Sequence, residues 1–303
     1  SRETAIAAMA AMAVSLLGAE VLLLEGGRAE INDFKAIYAP SHTPDAKAVV
    51  EIRSPRGIYV VLDSFAERLD TDISNNAGMM GVDGPPRAFG LYRDGNRIAA
   101  LPMPGKIEAG YADAALSALP YKLIPDARVL LVGSSGGFRI AEARALGASQ
   151  VRALEPEPVL GDALARGLGP SPRWPIDPVV RLSGMSPLEA GRHGVYDVID
   201  VSADFLDAAE ANVAGLTVEA ILGYTHVLAP NGIVSLPASI RDFPVYGLRL
   251  MATLREALVR AGVKDPADHV VVCRSAWSVR VLASLVSWTP ERLELLRGFA
   301  EER

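Results

Sequence analysis

The chain has 303 residues, of which 50% are hydrophobic and 22% are charged, and this composition excludes a disordered or fibrous protein. Its formal net charge of −6 argues against a nucleic-acid-binding surface, because such surfaces are basic. The single cysteine, Cys273, excludes a disulfide framework and a cysteine-based zinc site, and the four histidines lack metal-ligand spacing. We therefore expect no metal and no nucleic-acid partner.

The first predicted element is an apolar helix within residues 1–27. Thr4–Leu24 is almost entirely apolar, with Glu20 as its one charged residue, and its length matches the roughly 20 residues that cross a bilayer. Alanine is only weakly hydrophobic, so a helix packed against a partner protein fits the stretch equally well. These alternatives place the chain at the cytoplasmic face of a membrane, with membrane-protein partners, or in the cytoplasm.

Residues 45–104 are predicted to form a small antiparallel β domain. Their strand-like runs are short and rich in β-branched or aromatic residues, and Arg93–Asn96 is a turn signal between two of them. Residues 67–86 are too polar and too rich in glycine and proline for a core element, so we predict a long loop there.

Residues 105–303 alternate between helix-like and strand-like segments. The sequence predicts a helix over Gly110–Leu123, with Pro120 near its end, and a turn at Pro230–Gly232 before a strand. Continuous apolar strands separated by helices are typical of a mainly parallel sheet covered on both faces. The predicted fold class is therefore α/β, with a doubly wound main domain.

The segment RVLLVGSSGGFRIAEARALGASQVRALEPEP contains the most informative pattern. An apolar strand runs into the small residues Gly133, Ser134, Ser135, Gly136 and Gly137, a helix begins at once, and the next strand ends at Glu155. In nucleotide-binding α/β folds such a turn lies close to the ligand, and an acid at that strand end binds the ribose hydroxyls. A tight strand-to-helix turn with Glu155 as a solvated strand end is the alternative.

These segments resemble the spermidine synthase (polyamine aminopropyltransferase) family, in particular the bacterial spermidine-synthase-like domains attached to a membrane segment. LYRDGNR is similar to the family's Asp-Gly strand turn, ALPYKLIPDARVLLVG to its helix entering the first strand, and YDVIDVSADF to its catalytic-loop strand. The stretch from Gly262 to Phe299 resembles the membrane-attached subgroup. The similarity extends from about Asp45 to the end of the sequence.

The resemblance implies a methyltransferase-like Rossmann sheet that binds decarboxylated S-adenosylmethionine, or S-adenosylmethionine, and a diamine substrate. It assigns Glu155 to the ribose and residues 133–137 to the donor pocket. Asp200 or Asp204, on either side of the family's acid position, would lie near the acceptor amine if the loop shifts its register. Family members often dimerise, so a homo-oligomer is a further implication.

Several acids that the family uses are replaced in this sequence. The family's catalytic aspartate falls on Ser202, the acid of its glycine-rich loop on Gly136, and the aspartate at the adenine on Gly184. The glutamine after the Asp-Gly turn falls near Ile98, and the Tyr-His-Glu helix start reads Tyr111–Asp113. Of the ligand-binding acids, Glu155 is the one clearly kept.

Three functional hypotheses follow. The first is an aminopropyltransferase-like enzyme, and the second is an S-adenosylmethionine-dependent methyltransferase acting on another acceptor. The third is a non-catalytic pseudoenzyme that keeps the fold as a subunit or partner-binding domain of a membrane assembly. The missing acids favour the third hypothesis over spermidine synthesis, while Glu155 and the glycine-rich turn favour the first two.

Overall fold

The computed structural model describes the chain in segments separated by short gaps. These segments are residue 6 and residues 9–18, 32–74, 76–79, 81–175, 177–192, 194–202, 213–240 and 245–302.

The small antiparallel β unit predicted from the sequence is confirmed as a four-stranded sheet in the order β1-β2-β3-β4. Its strands are β1 (Lys47–Ser54), β2 (Gly57–Asp63), β3 (Ala88–Arg93) and β4 (Asn96–Pro102). The β3–β4 hairpin turns through Asp94 and Gly95, which both have positive φ angles, of 50° and 78°. This conformation explains why an Asp-Gly pair occupies the turn.

The main sheet has seven strands in the order β10-β11-β9-β8-β5-β6-β7. They are β5 (Arg128–Val132), β6 (Gln150–Leu154), β7 (Val180–Ser183), β8 (Tyr196–Val201), β9 (Leu228–Ser239), β10 (Val270–Arg274) and β11 (Ser278–Ala283). The sheet neighbours β9, β8, β5, β6 and β7 pair in parallel, and β11 and β10 add an antiparallel edge next to β9. The predicted mainly parallel α/β sheet is therefore confirmed.

Seven α-helices lie in the described segments from residue 32 onward. They are α1 (Tyr38–Ser41), α2 (Leu119–Leu123), α3 (Phe138–Ala145), α4 (Pro158–Arg166), α5 (Val218–Val227), α6 (Val245–Arg260) and α7 (Pro290–Glu302). The two sheets meet through α4, because Tyr59, Leu91 and Leu101 of the small sheet pack against Leu160 and Ala163. Burial of large apolar side chains stabilises this contact by about 1.5–3 kcal/mol for each one fully buried.

The structure differs from the predicted helix over Gly110–Leu123. Two 3₁₀ turns, Gly110–Ala114 and Leu116–Ala118, precede α2, and Ala115 between them is extended, with φ −94° and ψ 149°. Pro120 lies in the first turn of α2, not near a helix end. A proline has no N–H to donate and therefore fits the first turn, where that group has no partner within the helix.

The predicted turn at Pro230–Gly232 is also different in the structure. β9 begins at Leu228 and continues through these residues, and its pairing with β8 shifts from Tyr196–Leu228 to Val198–Ile233. The extra residues form a bulge in which Pro230 is exposed. A proline and a glycine are compatible with a bulge because neither is required to extend the hydrogen-bond ladder there.

The predicted N-terminal apolar helix lies partly outside the described residues. Residues 9–18 are helical, and their side chains are exposed. In the described part of the chain, no helix is both long and apolar enough to span a bilayer.

Candidate functional site

The carboxyl ends of β5, β6 and β8 meet at one edge of the main sheet, because the three strands are parallel neighbours. The glycine-rich turn follows β5, Glu155 follows β6, and Ser202 follows β8. Backbone hydrogen bonds join the three, from Gly133 N to the Leu154 carbonyl and from Ser202 N to the Val132 carbonyl, each 2.9 Å long. The structure therefore brings the turn and Glu155 together. Asp204 lies outside the described residues.

Glu155 is a buried carboxyl group and not a solvated strand end, since only 4% of the residue is exposed. Its Oε2 accepts hydrogen bonds from Ser134 N at 3.1 Å and from Ser134 Oγ at 2.5 Å, and its Oε1 accepts one from Glu157 N at 3.2 Å. Burial raises the pKa of Glu155 to about 7, although these hydrogen bonds oppose the shift. A ribose hydroxyl would compete with Ser134 Oγ for Oε2.

The five residues of the glycine-rich turn are all buried. Gly136 and Gly137 have φ angles of 60° and 102°, and Ser135 has a φ of 51°, which is unfavourable for a residue with a Cβ. A Cβ on Gly136 would overlap the carbonyl oxygen of Ala100 in β4, and one on Gly137 would overlap the ring of Trp174. The small sheet and Trp174 therefore cover the turn.

This packing accounts for the glycine at position 136. Gly136 stands where the resemblance implies an acid, and no side chain fits there because the β4 backbone fills the space. Gly184 is different, because a Cβ added there meets no atom within 4 Å. The structure therefore excludes an acid at the first position and leaves room for one at the second.

Asp200 lies in β8 with 0% of its surface exposed. Its Oδ2 accepts hydrogen bonds from Tyr121 Oη at 3.0 Å and from the Arg139 guanidinium, and its Oδ1 accepts one from Arg280 Nη1 at 3.1 Å. Arg139 also pairs with Glu142. Two arginines and two acids form this cluster, so its formal charges sum to zero.

The partners of Asp200 were not identified from the sequence. Arg280 lies in the apolar strand β11, and Arg139 and Glu142 are three residues apart on α3. A charged residue within an apolar run was therefore the sequence signal that could have identified these partners. Both arginines are buried. Burial raises the pKa of the Tyr121 hydroxyl well above its usual range, and the negative charge of Asp200 adds to this shift.

Glu157 connects the small sheet to the carboxyl edge. It accepts hydrogen bonds from Tyr59 Oη at 2.8 Å and from Arg93 Nη1 at 3.0 Å, and its side chain also caps the first turn of α4 at Val159 N. The Pro158 that follows fits the first position of the helix. Glu157 therefore holds the two sheets together beside Glu155. In the described part of the chain, no group of three or more histidine, cysteine or acidic side chains is placed to hold a metal ion.

Solved structures similar to this chain include spermidine synthases. That of Thermotoga maritima is 16% identical, with a TM-score of 0.53, and the match covers 81% of this chain and 75% of that chain. A probable spermidine synthase from Corynebacterium glutamicum is 13% identical, with a TM-score of 0.55 and coverages of 84% and 87%. A spermidine synthase in complex with the transition-state analogue AdoDATO is 16% identical, with a TM-score of 0.51 and coverages of 84% and 78%.

Comparison of sequences finds less similarity to known proteins than comparison of structures. No family model matches the chain. The β subunit of phenylalanine–tRNA ligase from Deinococcus radiodurans is 33% identical over 115 residues, and this match covers 34% of the chain and only 13% of that subunit. The structural comparisons therefore show that the chain has the fold of the spermidine synthases.

The raised pKa of Glu155 predicts how stability depends on pH. The folded-state pKa of about 7 exceeds the ordinary 4.5. Below about pH 4.5 the carboxyl group is protonated in both the folded and the unfolded chain, and its contribution to the free energy of unfolding is complete. This contribution is lost as the pH rises through 7. We expect Glu155→Gln to remove this loss, which is of the order of 3 kcal/mol. Urea unfolding of both proteins at pH 5 and pH 8 measures it. Glu108→Gln, at an exposed position, is the control, and an unchanged pH dependence in Glu155→Gln would contradict the assignment.

Proposed function

We propose that this chain is a spermidine-synthase-like domain that does not transfer an aminopropyl group and serves as a subunit or partner-binding domain of a larger assembly. The observation that carries the proposal is the neutralised carboxylate of Asp200, which is held between two buried arginines.

Aminopropyl transfer to a diamine needs carboxylates without a bound cation. A diamine carries two positive charges in water, and one amine must lose a proton before it attacks the carbon beside the sulfonium. Both oxygens of Asp200 already accept hydrogen bonds from arginines, and Asp200 lies below the surface. A diamine placed there would add positive charge to a neutral, buried cluster, which is unfavourable in a low-dielectric interior.

The glycine-rich turn also supports the proposal that the chain does not transfer an aminopropyl group. The position that the family resemblance assigns to an acid is Gly136, and the Ala100 carbonyl of the small sheet fills the adjacent space. Neither this position nor Asp200 offers a carboxylate to an amine.

The proposal predicts that the purified chain forms no methylthioadenosine from putrescine and decarboxylated S-adenosylmethionine above the background without protein. An authentic spermidine synthase under the same conditions is the positive control. Turnover at an ordinary enzymatic rate, about 1 s⁻¹ or faster, would overturn the proposal.

A second candidate function is binding of an adenosyl compound, which would suit an S-adenosylmethionine-dependent methyltransferase. Glu155 supports it, because its carboxyl group lies at the end of β6 beside the glycine-rich turn, as in nucleotide-binding α/β folds. Binding requires Ser134 Oγ to release Oε2, since that hydroxyl now occupies the acceptor that a ribose would use.

This second candidate predicts micromolar binding of methylthioadenosine or S-adenosylmethionine by calorimetry, with a raised melting temperature. Ser134→Ala should tighten binding because it removes the competing hydroxyl, whereas Glu155→Gln should weaken it by roughly ten-fold, the loss of one charged hydrogen bond. If none of these compounds or decarboxylated S-adenosylmethionine binds the folded chain, the second candidate is wrong and the first remains.

We also propose that the apolar stretch Thr4–Leu24 attaches the domain to a lipid bilayer. Met9, Met12 and Leu16 are all more than half exposed, and residues 9–18 include no charged residue. An apolar surface around a whole helix suits lipid better than a groove that covers one face.

This attachment predicts that the chain floats with phosphatidylcholine vesicles in a density gradient. The double variant Leu16→Lys/Leu17→Lys should remain at the bottom, because a charge in the hydrocarbon region is costly. Leu248→Lys, at a position of similar exposure on α6, is the matched control. Equal flotation of all three proteins, or of none, would contradict the attachment.

A further inference from the structure

One outer edge of the main sheet is the strand β10, whose neighbour among the described strands is β11. Backbone hydrogen bonds run from Ser275 N to the Ser278 carbonyl and from Ser284 N to the His269 carbonyl. In an antiparallel pair, residues alternate between bonding to the neighbouring strand and facing away from it. The odd-numbered residues from 269 to 275 therefore bond to β11, and the N–H and C=O groups of Val270, Val272 and Arg274 point away from the sheet. We call these three residues the free edge.

The helix that packs beside β10 does not cover the free edge. A cavity of about 700 Å³ borders the strand and is lined by the consecutive residues 271–276 and by side chains of α7, among them Leu296 and Arg297. Because successive side chains of a strand point to opposite faces, a cavity lined by consecutive residues lies against the backbone edge. Trp288 N bonds to the Asp268 carbonyl, so the free edge begins after Asp268.

The other three edge strands of the two sheets have features that hinder pairing with another chain. β1 has a bulge between Ala48 and Val50 and three charged residues, β4 lies against Gly136, and β7 is four residues long and includes the exposed Arg181. Bulges, charges, cover and short length all protect a sheet edge. β10 differs, because its register with β11 is continuous and its first four residues are uncharged. Val272 at its centre is 44% exposed.

We propose that β10 pairs with β10 of a second copy of this chain, in an antiparallel two-fold arrangement centred on Val272. Such an axis places Val272 opposite the partner's Val272, and Val270 opposite the partner's Arg274. All three residues of each free edge then lie in hydrogen-bonded pairs, which gives about six backbone hydrogen bonds between the copies. A two-fold interface requires a surface that is complementary to itself, and this strand satisfies that requirement.

The charges at the two ends of β10 favour a second copy over an unrelated strand. The exposed Asp265 and Asp268 precede the strand, and the exposed Arg274 ends it. Antiparallel pairing brings Arg274 diagonally next to the partner's Asp268, at a distance of about 7–8 Å between backbones that an arginine side chain can span. Parallel pairing would bring like charges together. This inference does not rest on the absence of aminopropyl transfer, and its test includes no activity measurement, so the two proposals can fail separately.

Cysteine cross-linking tests the register. The double variant Val272→Cys/Cys273→Ser should form a disulfide-linked dimer on oxidation with copper phenanthroline, because residues in a hydrogen-bonded pair have Cα atoms about 5.5 Å apart. Val49→Cys/Cys273→Ser is the matched control, since Val49 is an exposed valine on the bulged edge strand of the small sheet, and it should stay monomeric. In the unsubstituted chain, the two copies of Cys273, the one cysteine of the sequence, would be diagonal neighbours that a short bismaleimide can link.

Sedimentation velocity in a nonionic detergent tests the association itself, because the detergent removes association through the apolar stretch Thr4–Leu24. Val272→Pro deletes an N–H that faces away from β11, so the sheet is retained while one hydrogen bond is lost from each copy. We expect the dimer dissociation constant to rise about a hundred-fold. Val272→Ala keeps the N–H and should remain a dimer. Coincident circular dichroism spectra of the two variants exclude unfolding as the cause.

The charge pairing has a separate test. Arg274→Asp should weaken the dimer about ten-fold, because the pair occurs twice in each dimer, and Asp268→Arg added to it should restore the association. Three results would overturn the proposal: a monomeric unsubstituted chain at micromolar concentration, a dimer that is insensitive to Val272→Pro, or equal disulfide formation at positions 272 and 49.

Discussion

The buried carboxylate of Asp200 is the constraint on which the arrangement of the main domain depends. A carboxylate in the interior is tolerated only when cations and hydrogen-bond donors surround it. Arg139 comes from α3, Arg280 from β11 and Tyr121 from α2, so three separate elements must be in place before the charge is satisfied. The cluster therefore fixes the antiparallel edge of the sheet and the helices on one face relative to β8.

The same constraint limits the chemistry available at the carboxyl edge. Asp200 has no exposed surface, and both of its carboxylate oxygens accept hydrogen bonds from arginines. The small sheet adds a second limit, because β4 lies against Gly136 and Glu157 ties Tyr59 and Arg93 to the start of α4. Glu155 is the remaining feature that suits a nucleoside, and Ser134 now occupies its acceptor oxygen.

Much of the fold could be predicted from the sequence because it depends on local patterns. The continuous apolar runs identified the parallel strands, and the Asp94–Gly95 pair identified the β3–β4 hairpin. The predicted helix over Gly110–Leu123 was wrong in form, because propensity does not show that Ala115 is extended or that Pro120 lies in the first turn of a short helix. The site was only partly predictable. The spacing put Glu155 next to the glycine-rich turn, but burial and the arginine partners of Asp200 depend on contacts between distant residues.

The sequence by itself determined the α/β class, the separate small sheet and the location of the glycine-rich turn, since hydrophobic periodicity and turn residues act over a few positions. Only the tertiary structure decided which charges are buried and which groups neutralise them. Arg280 is eighty residues from Asp200 in the chain, yet the two side chains are 3.1 Å apart. Electrostatic energy depends on distance and burial, and neither can be read from position along a chain.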